Sequence, residues 1–164
     1  MKRQYFVSAA ALAVGLFSGP GAEAVDGHIF HGSMCGSIQP SSTPYDDGVY
    51  REALGLRVDE DDQNGFAAFI SCPIIRDETN NTNGISDLEV RVDHNGAGSM
   101  SCQGMTFDAF GNTLKGVLKP APVGNNKVLD FGNAINISAT KGPYYVSCTM
   151  TGGDTIHSLF LQEY

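Results

Sequence analysis

The sequence predicts an all-β fold: an antiparallel β-sandwich, immunoglobulin-like or jelly-roll-like, of about seven or eight strands. Three observations carry the prediction. Apolar and polar residues alternate at period two over much of the chain, the spacing of a strand with one face on a core and one in water. Clusters of Gly, Asn, Asp and Pro interrupt these runs at short intervals, as in hairpin-rich sandwiches. Helical spacing is confined to the first residues.

Those first residues read as a leader. Lys2 and Arg3 precede an apolar run over residues 6–17, a break at Gly19-Pro20-Gly21, and the small residues Ala22 and Ala24 flanking Glu23. This is the pattern of a cleaved signal peptide over residues 1–24, too short to span a bilayer. Residues 25–164 then form a single domain, exported to a periplasm or the outside, and the compact leader has a bacterial look. No second apolar run reaches membrane-spanning length.

The strands follow in order. Residues 49–56 read as a strand or a short helical turn, and periodicity does not separate the two. Asp62-Gln63-Asn64-Gly65 is a turn before a strand at 66–74. A polar loop over 77–84 leads to Leu88, Val90 and Val92, which alternate with Glu89, Arg91 and Asp93. Asn95-Gly96 signals a hairpin, because both residues tolerate positive φ. Asp108 to Asn112 turns the chain between Met105-Thr106-Phe107 and a strand at 114–118. Pro120, Pro122 and Gly124 mark a looser connection. Ile135 and Ile137 alternate with Asn136 and Ser138 as a further strand. Tyr144, Val146, Cys148 and Met150 form the next, and Gly152-Gly153-Asp154 joins it to a last strand at 156–161 with apolar residues on both faces.

The chain carries 18 acidic and 10 basic residues, a formal charge of −8. Such a surface repels phosphate backbones and anionic lipid, so nucleic acid is a poor partner. Oligomeric state and partner are open.

Cys35, Cys72, Cys102 and Cys148 all follow the leader. In an oxidising compartment four cysteines read as two disulfides, with three pairings available. The favoured pairing is Cys35 with Cys72, pinning the glycine-rich amino-terminal segment, and Cys102 with Cys148, tying two body strands. No Cys-x-x-Cys spacing supports zinc. Ser-Cys recurs at 71–72, 101–102 and 147–148, each serine facing opposite to its cysteine.

Candidate chemistry is sparse. Asp59, Asp61, Asp62 and Asn64 lie in an acidic run whose oxygens suit a calcium ion. Residue 71 is Ser where a hand-type loop needs a bidentate Glu, so only an irregular site is in question; a solvated turn is the simpler reading. His28 and His31, near Asp26, lack a rigid scaffold for a metal. His94 and His157 read as isolated surface residues. Tyr45, Tyr50, Phe110, Tyr144, Tyr145 and Tyr164 are candidate sugar-stacking aromatics, and one of the adjacent pair 144 and 145 must point outward. Arg76-Asp77-Glu78 reads as a salt bridge at a strand end. No segment matches a nucleophile elbow, and no catalytic residue is assigned.

Several features together resemble a group of short exported bacterial proteins. They are early Cys35, Ser71-Cys72-Pro73-Ile74 followed by Arg76-Asp77, Leu88-Glu89-Val90-Arg91-Val92, Cys102, Phe107-Asp108 with Gly111, and Tyr145 three residues before Cys148. The resemblance implies a four-cysteine β-sandwich and export; it implies no activity and transfers no site residue. The leading expectation is a non-enzymatic binding or assembly module of unknown ligand. The alternatives are a small hydrolase acting on polysaccharide or peptide, and an inhibitor of extracellular enzymes presenting the loop at 77–84.

Overall fold

The computed structural model describes residues 27–38, 48–59, 67–76, 84–137 and 143–164. Eleven strands lie among them: β1 (Gly27–His31), β2 (Gly36–Ser37), β3 (Val49–Glu52), β4 (Gly55–Val58), β5 (Ala68–Ile74), β6 (Ile85–His94), β7 (Ser101–Phe107), β8 (Thr113–Pro120), β9 (Gly124–Asp130), β10 (Tyr144–Met150) and β11 (Thr155–Glu163). The first sheet runs β3-β4-β11-β6-β9, with β1 also paired to β11. The second runs β2-β5-β10-β7-β8. All pairings are antiparallel. The two sheets stack as an all-β sandwich.

Alternation sets the faces. Leu88, Val90 and Val92 of β6 pack against Ile70 and Cys72 of β5, Val146 and Cys148 of β10, and Cys102 of β7 in one buried core. The three serines before the cysteines sit on the outer face of the second sheet, as period two requires. Cys35 bonds Cys72, and Cys102 bonds Cys148, its direct cross-strand neighbour. This is the pairing favoured from the sequence. The Cys102–Cys148 bond lies within the second sheet, and the Cys35–Cys72 bond fastens the segment entering β2, where the chain arrives from β1 of the first sheet, onto β5.

Several expectations are corrected. The segment 49–56 is neither one strand nor a helical turn; β3 and β4 form a hairpin through Ala53 and Leu54. Ile135 and Ile137 form no strand: Ile135 lies in a turn, because Ala134 and Asn136 donate to Phe131 and Asn133 three residues back, and Ile137 follows it. Ile135 still enters the core. Asn95-Gly96 forms no hairpin: β6 and β7 lie in different sheets, so the segment crosses between layers. The segments 121–123 and 151–154 cross likewise, at the same end of the sandwich. Val58 and Ala68 also lie at this end.

His94 is the sharpest correction. It continues the inward phase of Leu88, Val90 and Val92, and is only 4 % exposed. Its Nδ1 lies 2.9 Å from Oδ1 of the fully buried Asp154. Asp154 also accepts from Asn95 N, Thr151 N and Thr151 Oγ1. Two crossover segments are thereby held to one carboxylate, satisfying donors that a buried chain end would otherwise orphan.

Candidate functional site

At the crossover end, a cleft of about 280 Å³ lies over the outer face of the first sheet. Its floor is a register row: Arg57, Thr155 and Asp93 stand opposite one another on β4, β11 and β6. Glu52 and Leu54 form one wall and Asn125 part of the other.

Two β-bulges shape it. On β11, Ile156 opposes Val92 while Ser158 opposes Arg91, so His157 is an extra residue. The bulge flips the phase of the strand. Ile156 and Leu159 therefore both reach the core, while His157 turns outward. The apolar residues on both faces read from the sequence are in part this phase change. On β9, Lys127 opposes Val92 and Gly124 opposes His94, leaving Asn125 and Asn126 against Asp93. Asn126 has φ of 52°, a left-handed conformation that Asn accepts more readily than most residues.

Asp93 sits between the bulges with both oxygens engaged. Oδ1 accepts from Asn126 N at 2.5 Å, and Oδ2 lies 3.0 Å from His157 Nε2. His157 Nδ1 lies 2.9 Å from the carbonyl of Leu54. Both ring nitrogens thus face acceptors, which fixes the orientation of the ring. His31 Nε2 donates to the neighbouring Ala53 carbonyl at 3.1 Å. Two histidines therefore clamp the tip of the β3–β4 hairpin, which is the wall of the cleft. Gly55 (φ 143°) and Gly32 let both chains lie against the Ile156 carbonyl; a Cβ on either would stand 2.0 Å from that oxygen.

A second polar group is buried at the far end. Arg76 Nε donates to Glu163 Oε1 at 2.7 Å, with both side chains nearly inaccessible. The guanidinium lies 5.4 Å from the Tyr144 ring centroid. Burial pushes the Tyr144 phenol above its ordinary value, against the pull of Arg76. Its hydroxyl donates to Asn136 Oδ1 at 3.3 Å. The expected surface salt bridge of Arg76 is instead an internal one; Asp77 and Glu78 lie outside the described residues.

The residues singled out from the sequence scatter. Asp61, Asp62 and Asn64 lie outside the described residues, as does Tyr45. Asp59 accepts from the Tyr50 hydroxyl at 3.1 Å. Among the described residues, no three His, Cys, Asp or Glu side chains converge as a metal site. Tyr144 is buried, and Tyr145 is the one that points outward. Tyr145 meets Phe107 edge to face, centroids 5.5 Å apart at 87°, so the pair offers no coplanar stacking platform. Sequence reasoning missed Glu52, Arg57, Asp93 and Asn125 as a group. The available signals were the outward phase of Asp93 and an Asn pair suited to a bulge.

No protein-family model matches the chain, and no curated protein matches it either. Among the described residues, no helix is long and apolar enough to cross a membrane.

Proposed function

We propose that this chain is an exported, non-enzymatic binding module whose cleft over Arg57, Thr155 and Asp93 takes a neutral, hydroxyl-rich ligand such as one end of a glycan. The observation that carries the reading is the double bulge around Asp93, a device that re-aims side chains at functional positions. The lining mixes a guanidinium, carboxylates, an imidazole, amides and a hydroxyl, with Leu54 as its one large apolar side chain. Small-molecule sites are mostly apolar, and this polar lining suits a ligand recognised by hydrogen bonds. A volume just under the ~300 Å³ at which such sites begin fits a small ligand or a chain end.

The same geometry speaks against hydrolysis. Glycosidase chemistry needs two carboxyl groups, one acting as acid and the other as base or nucleophile. The lining has two carboxylates, Glu52 and Asp93, and Asp93 is tied through Oδ1 to Asn126 N and through Oδ2 to His157, so its place is fixed by the bulges and it is not free to reorient as an acid or nucleophile. The loop offered for enzyme inhibition lies almost wholly outside the described residues.

A few neutral hydrogen bonds contribute about 1 kcal/mol each, so affinity on the order of millimolar is expected for a single site. A glycan array read at high protein density, followed by calorimetric titration of the best hit, tests the proposal. Arg57→Ala and Asn125→Ala are expected to weaken that hit roughly three- to tenfold each. Thr149→Ala, on the outer face of the other sheet, is expected to leave it unchanged. An array without hits, or a hit insensitive to Arg57 and Asn125, contradicts the proposal. Release of shortened sugar in the same sample favours the hydrolase.

A further inference from the structure

We propose that the free edge of β8 docks an acidic, extended polypeptide segment as an added antiparallel strand. Three independent features meet there. The first is composition: residues 109–129 contain Lys115, Lys119 and Lys127 and no Asp or Glu, in a chain of net charge −8. The second is position. β8 ends the second sheet and β9 ends the first, so this basic stretch occupies one open side of the sandwich.

The third is an unpaired backbone. Met100, in phase with Cys102, accepts from Ala121 N, and Phe107 N, in the opposite phase, donates to Pro143 O. Cys102 therefore turns its N–H and C=O toward β8, where it meets Lys119. The alternating phase of β8, at Gly116 and Leu118, turns its N–H and C=O away from the sheet. Among the described residues nothing pairs with them. Leu118 is 64 % exposed.

The side chains decide what kind of strand fits. Lys115, Val117 and Lys119 pair with the inward residues Thr106, Gly104 and Cys102, so the lysines line the mouth between the sheets. Inward-pointing lysines on an edge strand oppose pairing with a second copy, because two lysine rows would meet. A strand bearing carboxylates at alternate positions turns the same contacts favourable. At physiological salt the Debye length is about 8 Å, so such a strand feels the lysines beside it more than the net charge of the whole chain.

The test uses a synthetic peptide about ten residues long of alternating glutamate and valine, titrated into the isotope-labelled protein. Fluorescence anisotropy reads binding and amide hydrogen exchange reads its location. Binding that weakens with salt is expected, with exchange at Gly116 and Leu118 slowed at least about tenfold. The double charge reversal Lys115→Glu/Lys119→Glu is expected to lose roughly tenfold in affinity. Leu118→Pro removes a donor that β7 does not use, so it is expected to keep the fold and lose the peptide. Equal binding of a lysine–valine peptide, protection elsewhere, undiminished binding by the charge-reversed variant, or binding only to phosphatidylglycerol vesicles overturns the proposal.

Discussion

Replacing Cys102 and Cys148 together by alanine tests how the second sheet is held. The bond closes a loop of 46 residues and the Cys35–Cys72 bond one of 37. The loop-entropy relation gives about 4 kcal/mol for each, differing by only about 0.2 kcal/mol. Against a total stability of about 5–15 kcal/mol, either loss lowers the urea midpoint by on the order of 2 M. The local consequences differ. β7 and β10 are paired from Tyr144↔Thr106 to Thr149↔Ser101, so they hold register without the sulfur. β2 pairs with β5 only at Gly36 and Ser37. Removing Cys35–Cys72 is therefore expected to let β2 open locally, below the global unfolding free energy. Urea unfolding without reductant, paired with hydrogen exchange, separates these effects. A loss under about 1 kcal/mol for the Cys102–Cys148 variant refutes the reasoning. So does full protection of the Gly36 and Ile38 amides, the two in the phase that faces β5, once Cys35–Cys72 is gone.

Arg76→Ala strands the buried Glu163 carboxylate and is expected to cost about 3–5 kcal/mol by chemical denaturation, whereas a surface pair costs under about 1. Tyr144 ionises later in the folded chain than near 10.0, chiefly because burial disfavours the phenolate. The unfolded chain thus releases its proton first, and stability falls as pH climbs past 10.0. Tyr144→Phe is expected to flatten that part of an alkaline denaturation curve. Gly55→Ala places a methyl group 2.0 Å from the Ile156 carbonyl at a φ of 143°. A loss of about 2–4 kcal/mol in thermal or urea unfolding is expected, with the hairpin wall of the cleft displaced.

The fold was legible where a long strand kept one phase. Leu88, Val90 and Val92 announce β6, and Val146, Cys148 and Met150 announce β10, because a central strand with one buried face must alternate. The inward phase of Cys72, Cys102 and Cys148 was legible for the same reason, while Cys35, outside any strand, left the pairing as one favoured choice among three. β1 and β2 were too short to show a period, and β9 is an edge strand with only Leu129 buried. His94 was misread because its residue type outweighed its phase; inward phase plus a partner such as Asp154 buries a polar side chain without leaving it unpaired. The cleft was largely illegible. It depends on two bulges, and a single inserted residue changes which side chains face outward without changing composition. The acidic run at 59–64, the loudest chemical signal, says nothing about Asp93 and His157.

The most direct measurement is backbone amide shift mapping with the strongest glycan from the array. Shifted amides are expected to cluster at residues 52–57, 91–95, 124–126 and 153–157, and Arg57→Ala is expected to move the same titration to roughly three- to tenfold higher ligand. Shifts gathered on the outer face of the second sheet around Ser71, Gln103 and Ser147, or none at saturating ligand, contradict the account.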